Sequence, residues 1–171
     1  MAFELLNKNY SSIMQDNRIF LLNYAITNKN EQIKLYINNG FNGTDGHSSL
    51  IVRDKLIIDN ILCADFNENS YELVNGITFD KLKDITNVSY FDIVIIDTEG
   101  YDTELIKMMF NNNIFPKIIY FETPEVQGYI PNYENHLEYK INNSTDIINK
   151  LLNDNNYCIH KLNYNWLCIK K

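Results

Sequence analysis

Phe91-Asp92-Ile93-Val94-Ile95-Ile96-Asp97-Thr98-Glu99-Gly100 is the stretch from which the rest of the chain is read. Phe91 to Ile96 is a short, almost unbroken apolar run, the pattern of a parallel strand covered on both faces. The run ends in Asp97, Thr98 and Glu99, and Gly100 allows the backbone to turn tightly into the next element. That element carries Leu105, Met108 and Met109 at helical spacing and stops at Asn111-Asn112-Asn113 and Pro116. Lys117 to Phe121 reads as a second strand, closed by Glu122-Thr123-Pro124.

Downstream, a polar, Tyr-rich loop runs from Val126 to Asn143. Ser144 or Thr145 can then cap a helix bearing Ile147, Ile148, Leu151 and Leu152. Two strands, Cys158 to Leu162 and Trp166 to Ile169, joined by a turn near Asn163, complete the pattern. Upstream, Ala2-Phe3-Glu4 reads as the tail of a strand, with a short polar helix from Lys8 to Gln15. Ile19 to Thr27 is a strand candidate, and Gln32 to Ile37 alternates as a half-exposed strand does. Asn38 to Ser49 holds Gly40, Gly43 and Gly46 and reads as a loop. Leu50 to Asp65 is ambiguous, with room for a further strand, and Ile77 to Ile85 predicts a short helix. The sum is one α/β domain over residues 1–171: a Rossmann-like, mostly parallel sheet with an antiparallel C-terminal strand pair.

The composition narrows the partners. The 171 residues carry a net charge of −7 and form no basic run beyond Lys170-Lys171. A nucleic-acid binder gathers Lys and Arg into a phosphate-facing patch, so nucleic acid is not expected. No apolar run approaches the ~18 residues that a membrane helix needs, and no basic-then-apolar leader is present. The three cysteines, Cys63, Cys158 and Cys168, contain no CxxC pair. Cys158 and Cys168 lie in apolar stretches, where buried free thiols are expected. A cytoplasmic location fits best. The abundance of Asn, Ile and Tyr reads as a codon bias.

In an α/β sheet, ligands bind at the carboxyl ends of the strands. By that rule Glu4, Asp97, Glu99 and Glu122 are four carboxylates able to approach one crevice. Asp97 and Glu99 could accept a hydroxyl proton, fix hydroxyl groups by hydrogen bonds, or hold a divalent metal, whose requirement stays unknown. The plainer reading has Asp102 capping the helix while Glu99 and Glu104 favour its positive end. Glu4 closing the first strand has the place of a ribose-binding acid. His47, in a glycine-rich loop, is a candidate base or substrate ligand, ahead of His136 and His160.

Taken in order, these pieces resemble the FkbM-type family of class I methyltransferases. Ala2-Phe3-Glu4 is similar to the acidic end of that family's second strand, and Asn23-Tyr24-Ala25-Ile26-Thr27 to its third. Ser48-Ser49-Leu50 resembles its Ser-Ser-Leu loop, and Ile77-Thr78-Phe79-Asp80-Lys81-Leu82 the element before its fourth strand. Ile95-Ile96-Asp97-Thr98-Glu99-Gly100 is similar to its Lys-Ile-Asp-Val-Glu-Gly motif, with Ile95 in place of Lys. The resemblance implies O-methylation of a sugar or other small-molecule hydroxyl, with S-adenosylmethionine as donor. It implies Glu4, Ala25 and Asp97 for the cofactor, and Asp97, Glu99, Glu122 and His47 for catalysis. It begins after the family's first strand and glycine-rich turn. It therefore implies an N-terminally truncated form of the fold with weak cofactor binding, and leaves three options open: the flanking strands close up directly, another chain fills the missing strand in a homo-oligomer, or the sequence is a truncated product. The alternative is a catalytically inactive domain that serves as a binding or assembly partner.

Overall fold

The computed structural model describes residues 2–14, 19–38, 56–58, 61–64, 66–98, 101–122, 145–163 and 165–171. The order is α1 (Ala2–Met14), β1 (Ala25–Ile26), β2 (Gln32–Asn38), β3 (Leu56–Ile58), β4 (Ile61–Ala64), β5 (Phe66–Ile77), α2 (Phe79–Thr86), β6 (Ile93–Ile96), α3 (Asp102–Asn111), β7 (Ile118–Glu122), α4 (Thr145–Asp154), β8 (Tyr157–Leu162) and β9 (Asn165–Lys170). The chain is α/β, as expected. Its described strands form two mixed sheets and a hairpin instead of one mostly parallel sheet.

The larger mixed sheet has the order β6-β7-β9-β8. β6 and β7 run parallel, with Ile93 against Ile118 and Ile96 against Phe121. β9 lies antiparallel to both β7 and β8. The C-terminal strand pair is thus antiparallel as expected, but its second strand sits inside the sheet and β8 forms the outer edge. In the smaller mixed sheet, β5 lies between β1 and β2, parallel to β1 and antiparallel to β2. β3 and β4 make an antiparallel hairpin.

One face of the larger sheet carries the core. Ile96, Ile119, Phe121, Trp166, Cys168 and Tyr157 point from it into a cluster with Leu105, Ile106, Met109 and Phe110 of α3 and Ile148 and Leu152 of α4. Phe79 of α2 joins the same cluster. Phe110 stacks on Tyr157 at 5.6 Å between ring centroids, and the Tyr157 hydroxyl donates to the Pro116 carbonyl oxygen at 2.7 Å. An aromatic residue so deeply buried needs that partner, because an unpaired hydroxyl in the core is costly.

Several expectations are corrected. Ala2-Phe3-Glu4 opens a helix, not the end of a strand. Phe3, Leu6 and Tyr10 recur at helical spacing and continue one apolar stripe through the 13 residues of α1, which a strand tail would not do. The strand foreseen over 19–27 contracts to Ala25–Ile26, because only these residues find a partner in β5. β5, the longest strand at 12 residues, was not foreseen. Its polar Asn69, Ser70 and Asn75 hide the alternation, and pairing with β2 decides its state. Of the two thiols expected to be buried, Cys158 is exposed and Cys168 is buried.

The abundant asparagines have a structural use. Asn87, Asn113, Asn156 and Asn163 all adopt positive φ, between 46° and 61°. Asn is the residue after Gly that tolerates this conformation best. In a chain with 6 glycines, it ends α2 at Asn87 and turns β8 into β9 at Asn163.

Candidate functional site

The segment after β1 and the residue before α3 come together at one cavity. Thr27 and Asn28, just after β1, and Tyr101, the residue before α3, line one cavity of about 350 Å³. Ile33, Lys34 and Tyr36 of β2 complete the described lining. That volume is in the range of small-molecule sites.

The wall built from the smaller sheet is held by backbone hydrogen bonds. The Thr27 amide donates to the Ile77 carbonyl oxygen and the Gly76 amide to that of Glu31, both at 2.8 Å. The Thr27 hydroxyl donates to the Lys29 carbonyl oxygen at 2.6 Å, closing the turn from β1 towards β2. Gly76 is required by close approach: a Cβ there would stand 2.8 Å from Thr27 Oγ1 and 2.9 Å from the Glu31 carbonyl oxygen. Asn30 Oδ1 accepts from the Thr78 amide at 2.9 Å, and the Thr78 hydroxyl caps α2 by accepting from the Lys81 amide. The turn beside the cavity is thereby tied to the start of α2.

On β2, Tyr36 stands directly across from Tyr71 of β5, ring edge to ring face at 6.3 Å. The Lys34 ammonium lies 4.0 Å from the centre of the Tyr71 ring. The cation and the aromatic pair therefore share one face of the smaller sheet, next to the cavity.

Tyr101, just before α3, is the described lining residue from outside the smaller sheet. Asp97 is exposed one residue past the strand. Thr98 is half-buried, and its hydroxyl donates to Asp102 Oδ2 at 2.9 Å. Asp102 is 2% exposed. It does not cap α3, as the plainer sequence reading had it. The cap position belongs to Tyr101, which makes no side-chain cap bond, and Asp102 is the first helical residue. There its carboxylate favours the positive end of the helix while fixing Thr98. The Tyr101 hydroxyl is pushed above its usual pKa by burial and by the nearby Glu104 carboxylate, so it stays a neutral donor at physiological pH.

The other expected residues divide clearly. Ile96 is registered against Phe121, so Asp97 and Glu122 stand level at adjacent strand ends, one inter-strand spacing of about 5 Å apart along the backbone. Glu122 is half-buried at the end of β7. Ala25 is half-buried in β1, registered against Gly76 and two residues before Thr27. Glu4 lies exposed in the first turn of α1, so the strand end on which its ribose-binding role rested is absent. Glu99 and His47 lie outside the described residues. Among the described residues no three His, Cys, Asp or Glu side chains group as a metal site, and no helix is long and apolar enough to cross a membrane.

Sequence reasoning missed Thr27, Asn28, Lys34, Tyr36 and Tyr101. Lys34 and Tyr36 were signalled by the alternation of β2, which puts them on the face opposite Ile33 and Leu35. No local signal shows that this face meets Tyr101, 65 positions further on.

No protein-family model matches the sequence, and no curated protein or solved structure matches it either.

Proposed function

We propose that this chain is a methyltransferase-like α/β domain that binds a hydroxyl-bearing small molecule, a sugar or similar compound, in the cavity between the carboxyl end of β1, β2 and the start of α3. The observation that carries the proposal is the cavity formed by Thr27 and Asn28 after β1, by β2, and by Tyr101 before α3. A crevice outside strand carboxyl ends is where open α/β sheets bind ligands. The larger sheet, with parallel β6, β7 and β8 and an antiparallel β9, supports the Rossmann-like part of the reading. So does the position of Asp97, exposed immediately after β6.

S-adenosylmethionine does not fit the described lining. It presents a sulfonium cation and ribose hydroxyls, for which a carboxylate is the natural partner. The described lining offers Lys34 and no carboxylate, and Glu4 stands on a helix. The cavity instead suits the acceptor. Tyr36 and Tyr101 provide flat apolar surface with hydroxyl ends, and Asn28 and Thr27 provide polar groups; Asp97, exposed after β6, is the group proposed to accept a hydroxyl's hydrogen bond. The same lining favours the second reading, a binding domain without catalytic activity.

Two titrations test this. With S-adenosylmethionine, calorimetry should give a Kd weaker than about 100 μM, above roughly −5.5 kcal/mol, or no heat at all. Low-micromolar binding would overturn the account of the lining. With a panel of monosaccharides followed by saturation-transfer NMR, binders should be lost in Tyr36→Ala and Asp97→Asn. Binding that survives both substitutions would remove the cavity from the proposal.

A further inference from the structure

Lys34 brings the one charge to the described lining of the cavity, whose other members are Thr27, Asn28, Ile33, Tyr36 and Tyr101. The carboxylates nearest to it along the strands are turned to other uses. Glu31, before β2, stands 4.0 Å from the Lys29 ammonium. Glu72 of β5 is registered against Leu35 and so belongs to the other face of the smaller sheet. Among the described residues the side-chain partner of the Lys34 ammonium is the Tyr71 ring, 4.0 Å away at its centre, and no carboxylate pairs with it.

A ring face attracts a cation without neutralising it. The register puts Lys34 across from Leu73 and Tyr36 across from Tyr71, so the ammonium sits diagonally over an aromatic neighbour on its own face. It is held beside the cavity with its charge and its donors still available. The chain as a whole carries a net charge of −7. Its field repels anions at a distance, so an anion is retained only where a local cation meets it.

We propose that the ligand of the cavity is an acid: a sugar acid or similar hydroxylated carboxylate whose negative group pairs with Lys34. The inference rests on the reading of the cavity as a hydroxyl-binding site and adds the charge of what it binds. The aromatic and polar lining takes the ring and its hydroxyls, and Lys34 selects the acid. A carboxylate is favoured over a phosphate by the size of the charge. A phosphate monoester carries close to two negative charges at neutral pH and is met by Arg clusters or by a nest of backbone amides. A single lysine, in a described lining without arginine, balances one negative charge.

NMR titrations with glucose, glucuronate and glucose 6-phosphate test the assignment. Glucuronate should bind wild type about fivefold tighter than glucose, the upper range for an exposed ion pair, and tighter than glucose 6-phosphate. The preference for glucuronate over glucose should vanish in Lys34→Met and persist in Lys34→Arg. Lys34 is exposed, so neither change disturbs the core. A structural role for Lys34 would weaken both sugars together and leave the preference intact in Lys34→Met, which would overturn the proposal. Equal binding of glucose and glucuronate to wild type would overturn it too, while leaving the hydroxyl-binding reading in place. Tighter binding of glucose 6-phosphate than of glucuronate would defeat the carboxylate assignment. Absence of binding by all three probes would remove the hydroxyl-binding reading, and this inference with it.

Discussion

The Thr98 hydroxyl donates to Asp102 Oδ2 across 2.9 Å, joining the loop after β6 to the first turn of α3. Asp102 is almost fully buried while Asp97, five residues earlier, is exposed. Two aspartates flanking one loop therefore do different work, one holding the loop and the other facing solvent at the strand end.

Asp102→Ala should consequently destabilise the fold by about 1–3 kcal/mol, since it leaves the half-buried Thr98 hydroxyl without its acceptor. Thr98→Val should cost less, about 1 kcal/mol. Urea denaturation of the two single variants and the double variant would show a coupling of about 0.5–3 kcal/mol. Strict additivity would mean that the bond holds nothing in place.

Asp97→Asn should leave stability within about 0.5 kcal/mol of wild type, as an exposed substitution without a buried partner does. The same variant should lose saturation transfer from the monosaccharides that bind wild type. A fall in melting temperature as large as that of Asp102→Ala would recast Asp97 as structural.

Gly76→Ala should push Thr27 and the Glu31 carbonyl apart, because the new Cβ meets both at under 3 Å. Overpacking of this kind typically costs about 1–3 kcal/mol. Thr27 lines the cavity, so ligand binding should weaken together with stability. Retained binding in a destabilised Gly76→Ala would show that the β1 wall does not shape the site.

Stability should decline on the alkaline side. Burial pushes the Cys168 thiol up to about 12, with a small contribution from Cys158. Burial likewise raises the Tyr157 hydroxyl, followed by the influence of Cys168 and Tyr90. Below the ordinary thiol pKa both folded and unfolded chains keep this proton, and stability is unaffected. Above it the unfolded chain releases a proton that the folded chain retains, so unfolding becomes easier as pH rises. The slope for one such group is about 1.4 kcal/mol per pH unit between the two pKa values. Denaturation midpoints measured from neutral pH to pH 11 should fall, and Cys168→Ala should flatten the fall. A pH-independent midpoint would contradict the burial of both groups.

The second half of the chain was the more legible. Phe91 to Ile96, Lys117 to Phe121 and the two C-terminal segments were read as strands within one or two residues of their observed bounds. The first two are short and almost unbroken apolar runs, and a helical pattern separates them. Upstream, the run from Ile19 to Thr27 has strand-like composition but finds a partner over Ala25–Ile26 alone. Ala2-Phe3-Glu4 is too short for its period to show, and the helix it opens becomes visible only with Leu6 and Tyr10 included.

The sequence by itself determined the α/β character, the strand–turn–helix around Asp97 and the antiparallel pairing of the last two strands. These follow from hydrophobic period and turn chemistry, which are local. The tertiary structure decided that β9 inserts between β7 and β8, that Lys34 and Tyr36 face the same cavity as Tyr101, and that Ile93 and Ile95 of β6 stand exposed. Those facts depend on which distant segments pair and pack. An apolar residue in a strand carries the same pattern whether its face is buried by a helix or left open.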